Sequence, residues 1–167
     1  MGMAREALFN ILTHGRFATD DYRLMDGCRV LDLFSGCGAL SMEALSRGAA
    51  HVILMDIDQE HLDIARQNLR SIGESENATF IRGDSSVPPP ARIPCDLIFL
   101  DPPYNKGLVT IALKNLIAGK WLAQNAVIVI ETAKNEDITI PSELEEIDNR
   151  VYGNSRIRIC QWNSVSD

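Results

Sequence analysis

Val30-Leu31-Asp32-Leu33-Phe34-Ser35-Gly36-Cys37-Gly38-Ala39-Leu40 decides the fold. Val30 to Phe34 is short and mostly apolar, as a strand covered on both faces should be. Gly36 and Gly38 remove Cβ atoms where the backbone must bend hard and lie close to a ligand. From Ala39 to Arg47 the spacing becomes helical, with Leu40 and Ala44 on one face. A strand, a Gly-x-Gly loop and a helix make a nucleotide-binding corner, because ligands sit at the carboxyl ends of parallel strands.

The corner departs from the dinucleotide fingerprint in two ways. Ser41 stands where a third glycine is expected, and Asp32 sits inside the strand four residues before Gly36. A carboxylate repels a pyrophosphate and attracts a cation or an amine. The corner therefore suits the amino-acid end of S-adenosyl-L-methionine better than a dinucleotide. The competing reading is a tight turn with a buried, hydrogen-bonded Asp32.

Outward from this corner, strands and helices alternate. Towards the N-terminus, Met3 to His14 reads as an amphipathic helix, followed by a polar connection over Gly15 to Gly27. Towards the C-terminus, His51 to Asp56 is the second strand. Its closing acid, Asp56, with Ile57 beside it, stands where nucleotide-binding folds hold the ribose hydroxyls. The alternative for Asp56, helix capping, is better met by Asp58, ahead of Leu62, Ala65, Leu69 and Ile72 on one helical face. Ala78 to Arg82 is a third strand, and Asp84-Ser85 just beyond it is placed to meet an adenine amino group or simply to form a turn. Val87 to Pro94 carries four prolines and reads as a loop. Cys95 to Leu100 and Ala126 to Ile130 are two more buried strands, with a helix from Gly107 onward between them. Leu144 to Tyr152 and Arg156 to Trp162 flank Gly153-Asn154 as an antiparallel hairpin, and Asn163 to Asp167 is expected to fray. The expected fold is α/β and Rossmann-like: a mostly parallel seven-stranded sheet, helices on both faces and a C-terminal antiparallel hairpin.

The fourth strand ends at Asp101-Pro102-Pro103-Tyr104. Two prolines fix the backbone and remove two donors, so the Asp101 and Pro102 carbonyls need partners elsewhere. With the Asp101 carboxylate they form a set of acceptors matched to an exocyclic amino group. Tyr104 offers a face on which a base can stack. Attack of that nitrogen on a sulfonium methyl would draw its rate from alignment and from acceptors already in place.

Composition sets limits. At 167 residues and 46% apolar, one domain spanning 1–167 is expected. No apolar run approaches a membrane span and no secretory signal is visible, so the cytoplasm is the expected location. Cys28, Cys37, Cys95 and Cys160 form no C-x-x-C pair and read as buried free thiols, with no metal. A net charge of −7 argues against a broad basic face for naked nucleic acid. Lys106, Lys114, Lys120, Arg150, Arg156 and Arg158 form no stripe in sequence and read as a local rim or as scattered surface charge.

Together these residues resemble class I S-adenosylmethionine-dependent methyltransferases acting on exocyclic amines. More narrowly, the chain is similar to the RsmD family of 16S ribosomal RNA guanine-N2 methyltransferases. Carrying segments are Arg5-Glu6-Ala7-Leu8-Phe9-Asn10-Ile11-Leu12, Asp32 to Ala49, Asp101 to Tyr104 and the ending around Tyr152-Gly153. The resemblance implies that Asp32, Phe34, Ser35, Gly36 and Gly38 line the methionine end of the cofactor. It places Asp56 and Ile57 at the ribose, Asp84 and Ser85 at the adenine, and Asp101, Pro102, Pro103 and Tyr104 at the target base, with Asp101 also bordering the cofactor. It implies 16S rRNA within a small-subunit particle as partner, and a monomer. Met1-Gly2-Met3-Ala4 stands where the family carries a basic Arg-Pro-Thr segment, so the expectation includes its absence and a doubt over full activity. The rival within the class is an adenine-N6 enzyme on DNA or RNA. Rivals outside it are an NAD-dependent dehydrogenase and a cofactor-binding module without catalysis.

Overall fold

A computed structural model describes residues 2–163 of the chain. Helix α1 (Gly2–Leu12) is followed by a short 3-10 turn and then β1 (Arg29–Leu33), α2 (Ala39–Ser46), β2 (His51–Asp56), α3 (Gln59–Ser71) and β3 (Ala78–Arg82). Then come β4 (Cys95–Leu100), α4 (Leu108–Ala118), β5 (Leu122–Ala133), β6 (Leu144–Tyr152) and β7 (Ser155–Trp162). The strands form one seven-stranded sheet in the order β3-β2-β1-β4-β5-β7-β6. The first five in that order are parallel, and β7 and β6 close the edge antiparallel.

Alternation along each strand sends side chains to two cores. On one face Val30, Val52, Leu54, Phe99 and Val129 pack under α1, α2 and α3. On the other, Leu31, Leu33, Ile98, Ile128 and Ile130 pack under α4 and Trp121. Phe9 of α1 is fully buried, its ring 5.7 Å from that of Phe99 in the central strand. Helix α1 is thus part of the fold's core.

Chain connections from β1 lead towards β2 and β3, whereas β4 leads to β5, on the other side. The order therefore reverses between β1 and β4. A crevice opens at such a reversal, outside the carboxyl ends of the strands.

Three expectations need adjustment. The first helix ends at Leu12, and His14 leaves it to begin the 3-10 turn. Strand β5 is longer than its apolar centre, Ala126 to Ile130. Its ladder to β7 continues through Glu131, Thr132 and Ala133, and its start pairs with Cys95 across an irregularity. Backbone pairing does not require apolar side chains, so the hydrophobic run underestimates the strand. Cys37, expected to be buried, is exposed between the two loop glycines; Cys28, Cys95 and Cys160 are buried. Of the tail expected to fray, residues 164–167 lie outside those described. No described helix is long and apolar enough to cross a membrane.

Candidate active site

Strand β1 pairs in parallel with β2 on one side and β4 on the other, with Leu33 opposite both Met55 and Leu100. Their ends are level. The Gly36 loop, Asp56 and Asp101 therefore leave the same edge of the sheet, side by side.

The glycine loop is held by hydrogen bonds that fix its shape before any ligand arrives. Gly36 N–H donates to Asp56 Oδ2 at 2.8 Å, and Ser35 N–H donates to the Met55 carbonyl at 3.1 Å. Phe34 has a positive φ of 58°, a strained value for a residue with a side chain. Its N–H donates to Ser85 Oγ at 3.0 Å, and Ser85 Oγ donates on to the Met55 carbonyl at 3.0 Å. Ser85 is thus a clamp across β1 and β2, its hydroxyl already committed.

The two glycines do different jobs. A Cβ on Gly36 (φ +54°) would meet nothing within 4 Å, so the loop there borders open space. A Cβ on Gly38 (φ +85°) would lie 3.1 Å from Leu54 Cδ2 and 3.2 Å from Ala65 Cβ, so this glycine lets the loop sit on α3 and β2. Ser35 Oγ is buried beside this loop with no hydrogen-bond partner among the described residues. An orphaned hydroxyl next to open space fits a loop built around a polar ligand.

Asp32 lies beneath the loop, only 1% exposed, and accepts a 2.7 Å hydrogen bond from Ser41 Oγ. Burial pushes its carboxyl up to about 7; the Ser41 bond opposes this and the Asp56 charge adds to it. The position that would hold a third glycine in a dinucleotide site instead supplies the donor to Asp32. Asp56 accepts a second backbone hydrogen bond, from Asp58 N–H to Oδ1 at 2.9 Å, which leaves a lone pair on each oxygen. Ile57 beside it is 68% exposed, an apolar surface at the lip of the crevice. Asp58 caps α3 by accepting from Glu60 N–H at 2.9 Å. Asp84 is exposed and turns the chain, with Oδ1 accepting from Ser86 N–H at 2.9 Å and from Ser86 Oγ at 2.7 Å.

Across the crevice, Pro102 is buried and Pro103 exposed. The Tyr104 hydroxyl donates to Glu131 Oε1 at 3.1 Å, while the residue as a whole is 43% exposed. Burial and the Glu131 charge push its phenol up to about 12. Asn105 N–H donates to Glu136 Oε1 at 2.7 Å, which fixes the turn after the tyrosine. Asp101 is pushed up to about 7, first by burial, then by Glu131 and by Asp32. Neither Glu131, 6% exposed, nor Glu136, 8% exposed, stands among the site residues expected from the sequence. Glu131 was legible: it is an acid closing a wholly apolar run, the same pattern that marks Asp56 and Asp101.

Of the six basic residues that could form a rim, two are neutralised within the hairpin. Arg150 Nε lies 3.1 Å from Asp148 Oδ1 and Arg158 Nε 3.3 Å from Glu146 Oε1. Arg156 is opposite Thr132, beside Glu131, and Lys106 is exposed two residues after Tyr104. Lys106 stands beside the tetrapeptide, whereas the Arg156 guanidinium donates to the Lys134 carbonyl at 3.1 Å and to Asn149 Oδ1. Lys114 and Lys120 belong to α4 and the turn after it.

A sheet of this order, with a glycine loop after β1, an acid closing β2 and Asp-Pro-Pro-Tyr after β4, defines the class I methyltransferase architecture. The chain belongs to the family described as Conserved hypothetical protein 95, whose sequence profile matches residues 1–161, the RsmD family. It is 30% identical over 159 residues to Ribosomal RNA small subunit methyltransferase D of Escherichia coli K12, covering 94% of this chain and 75% of that one. It is 29% identical over 147 residues to a protein of Bacillus subtilis named as an rRNA methyltransferase, YlbH, covering 86% of this chain and 74% of that one. The structure is similar to that of HI0767 from Haemophilus influenzae, with a TM-score of 0.82 at 30% identity and 98% of both chains covered. Similarity in fold alone extends to TrmN from Thermus thermophilus, with a TM-score of 0.74 at 23% identity over 95% of this chain and 48% of that one.

Proposed function

We propose that the chain transfers the methyl group of S-adenosyl-L-methionine to the exocyclic N2 of a guanine in 16S ribosomal RNA, within a small-subunit particle in the cytoplasm. The observation that carries this reading is the parallel pairing of β1 with β4, which sets the Gly36 loop and the Asp101 tetrapeptide next to each other. Relatives named as ribosomal RNA small subunit methyltransferases support the choice of RNA.

The residues divide the work. The Gly36 bend leaves room for the methionine end, where Asp32 and Ser35 offer a carboxyl and an unpartnered hydroxyl to its ammonium and carboxylate. The remaining lone pairs of Asp56 take the ribose hydroxyls. Ile57 supplies an apolar wall to the adenine, and the exposed carboxylate of Asp84 meets its amino group. Ser85 acts through the clamp it forms on Phe34 and Met55. S-adenosyl-L-methionine supplies an electrophilic methyl on a sulfonium. On the other bank, acceptors of Asp101 and Pro102 orient the amine, Pro103 stiffens the backbone, and the Tyr104 ring stacks on the base. An amine held by its hydrogens keeps its lone pair aimed at the methyl, so orientation supplies much of the rate. As the N–C bond forms the C–S bond breaks, its electron pair stays on sulfur as a neutral thioether, and the nitrogen's surplus proton passes through its acceptors to solvent.

The test is methyl transfer from labelled cofactor to small-subunit particles lacking the modification, followed by digestion to nucleosides. N2-methylguanosine is the expected product. N6-methyladenosine would move the chain to the other amine, and binding of NAD with no binding of S-adenosyl-L-methionine would overturn the reading altogether.

A further inference from the structure

Glu131 stands outside the residues assigned above to cofactor and base, yet it sits against both ends of the Asp101–Tyr104 tetrapeptide. It closes the apolar run of β5 and turns to the face covered by α1 and α2. There it lines a small cavity with Leu8, Leu40 and Asp101. One oxygen, Oε1, accepts from the Tyr104 hydroxyl at 3.1 Å. The other, Oε2, is buried with no donor among the described residues.

A buried carboxylate oxygen without a donor is costly, because the charge has lost its water and gained no partner. Asp101 lines the same cavity, and the parallel pairing of Leu100 with Ile130 sets Asp101 and Glu131 side by side at the ends of β4 and β5. Two ionised carboxylates there would repel each other, so the pair retains one proton. A proton on Asp101 can be donated to Glu131 Oε2. Every polar atom of Glu131 is then satisfied, and Asp101 still presents its carbonyl oxygen as an acceptor.

We infer that Glu131 is a positioning residue: it ties Asp101 through a shared proton and Tyr104 through its hydroxyl, and so fixes the acceptor and the stacking ring at one spacing. Its bearing on catalysis rests on the function proposed above. Facing groups are few. Asp32 of β1 lies within electrostatic range of Asp101, Tyr104 follows β4, and Ile157 of β7 stands opposite Glu131. Arg156 and Arg158 alternate to the other face, where Arg158 bonds Thr132. The helices contribute Leu8 and Leu40, which keep the pair dry. Burial and Glu131 together push Asp101 up to about 7, which places loss of the shared proton near neutrality. Above that pH the two carboxylates part and the tetrapeptide loosens.

Two variants and two readouts test this. Glu131→Ala is expected to lower kcat for methyl transfer by about tenfold to a hundredfold with KM for S-adenosyl-L-methionine unchanged. Glu131→Gln keeps both bonds without the shared proton, since its amide donates to an ionised Asp101 and accepts from Tyr104. It is expected to restore most of kcat and to remove the fall in activity expected of the wild type above neutral pH. Independently of substrate, carboxyl-carbon NMR of the ligand-free protein should show Asp101 titrating near neutrality in the wild type and markedly lower in Glu131→Gln. Wild-type kcat in Glu131→Ala, or an alkaline limb unchanged in Glu131→Gln, would overturn the role. Should the wild type transfer no methyl to RNA, the function falls, and the carbon titration alone decides for or against the proton-sharing pair.

Discussion

Asp32 shows how one residue can serve stability and binding in opposite directions. Its carboxyl, pushed from 3.8 up to about 7 mainly by burial, holds a proton in the folded chain that the unfolded chain has lost. Between those values the folded state binds more protons, so this residue's contribution to stability falls as pH rises. Asp32→Asn is therefore expected to gain stability relative to the wild type as pH goes from 4 to 8, read as the difference in Tm across a pH series. The same substitution should weaken S-adenosyl-L-methionine binding, because the ionised form is the one a cationic ligand attracts. Binding at pH 7 should accordingly release protons, seen as a dependence of calorimetric enthalpy on the buffer. Gly36→Val tests the loop next to it. The added side chain faces the open space beside a backbone with φ of +54° and should raise the Kd at least about tenfold. At this scale the sequence revealed the residue types better than their partners. Asp32 stands out as an acid inside an apolar strand, and Asp56 and Asp101 as acids at the ends of two others. Ser41 does not, and Ser85, expected at the adenine, could not be read as a clamp, because a hydroxyl that bridges neighbouring strands carries no signature until the strands are paired.

Among the elements, α1 carries the sharpest prediction. Phe9 has no exposed surface and packs against Phe99 with the rings tilted at 54°, and Arg47 lies 5.4 Å from its ring centre. Phe9→Ala should cost ~3–5 kcal/mol of stability, measurable by urea denaturation. That is a large share of the ~5–15 kcal/mol typical of a domain. A loss below ~1 kcal/mol would mean that α1 is not packed on the central strand. The helical spacing of Ala4, Leu8, Ile11 and Leu12 made this element legible, and alternation of strand and helix did the same for the parallel sheet. Strand limits were less legible. Strand β5 runs on past Ile130 through a glutamate and a threonine because its partner β7 supplies the ladder, and a partner so distant in sequence leaves no local trace.

Viewed whole, the molecule carries a net charge of −7 and yet is proposed to act on RNA. Four of its 23 acidic residues, Asp32, Asp56, Asp101 and Glu131, gather at the carboxyl edge of the sheet. Hairpin arginines Arg150 and Arg158 are taken up by Asp148 and Glu146. Arg156 is taken up by the Lys134 carbonyl and Asn149, which leaves Lys106 exposed beside the tetrapeptide. Replacing Lys106 by alanine should raise KM for the ribosomal particle with little change in kcat. It should also flatten the salt dependence of binding by ~0.7 for each phosphate no longer neutralised. An unchanged KM and salt slope would place the RNA elsewhere. The architecture at this scale was visible in the sequence, since a glycine corner and a strand-terminal Asp-Pro-Pro-Tyr belong together only at neighbouring strand ends.

The central claim is that one strand end holds the methyl donor while its neighbour holds the acceptor. Asp101→Ala separates the two: cofactor Kd and single-turnover methyl transfer to small-subunit particles are measured on the same preparation. Transfer should fall by at least about a hundredfold while Kd for S-adenosyl-L-methionine stays within a few-fold of the wild type. Near-wild-type transfer, or a Kd lost in parallel with transfer, would contradict it.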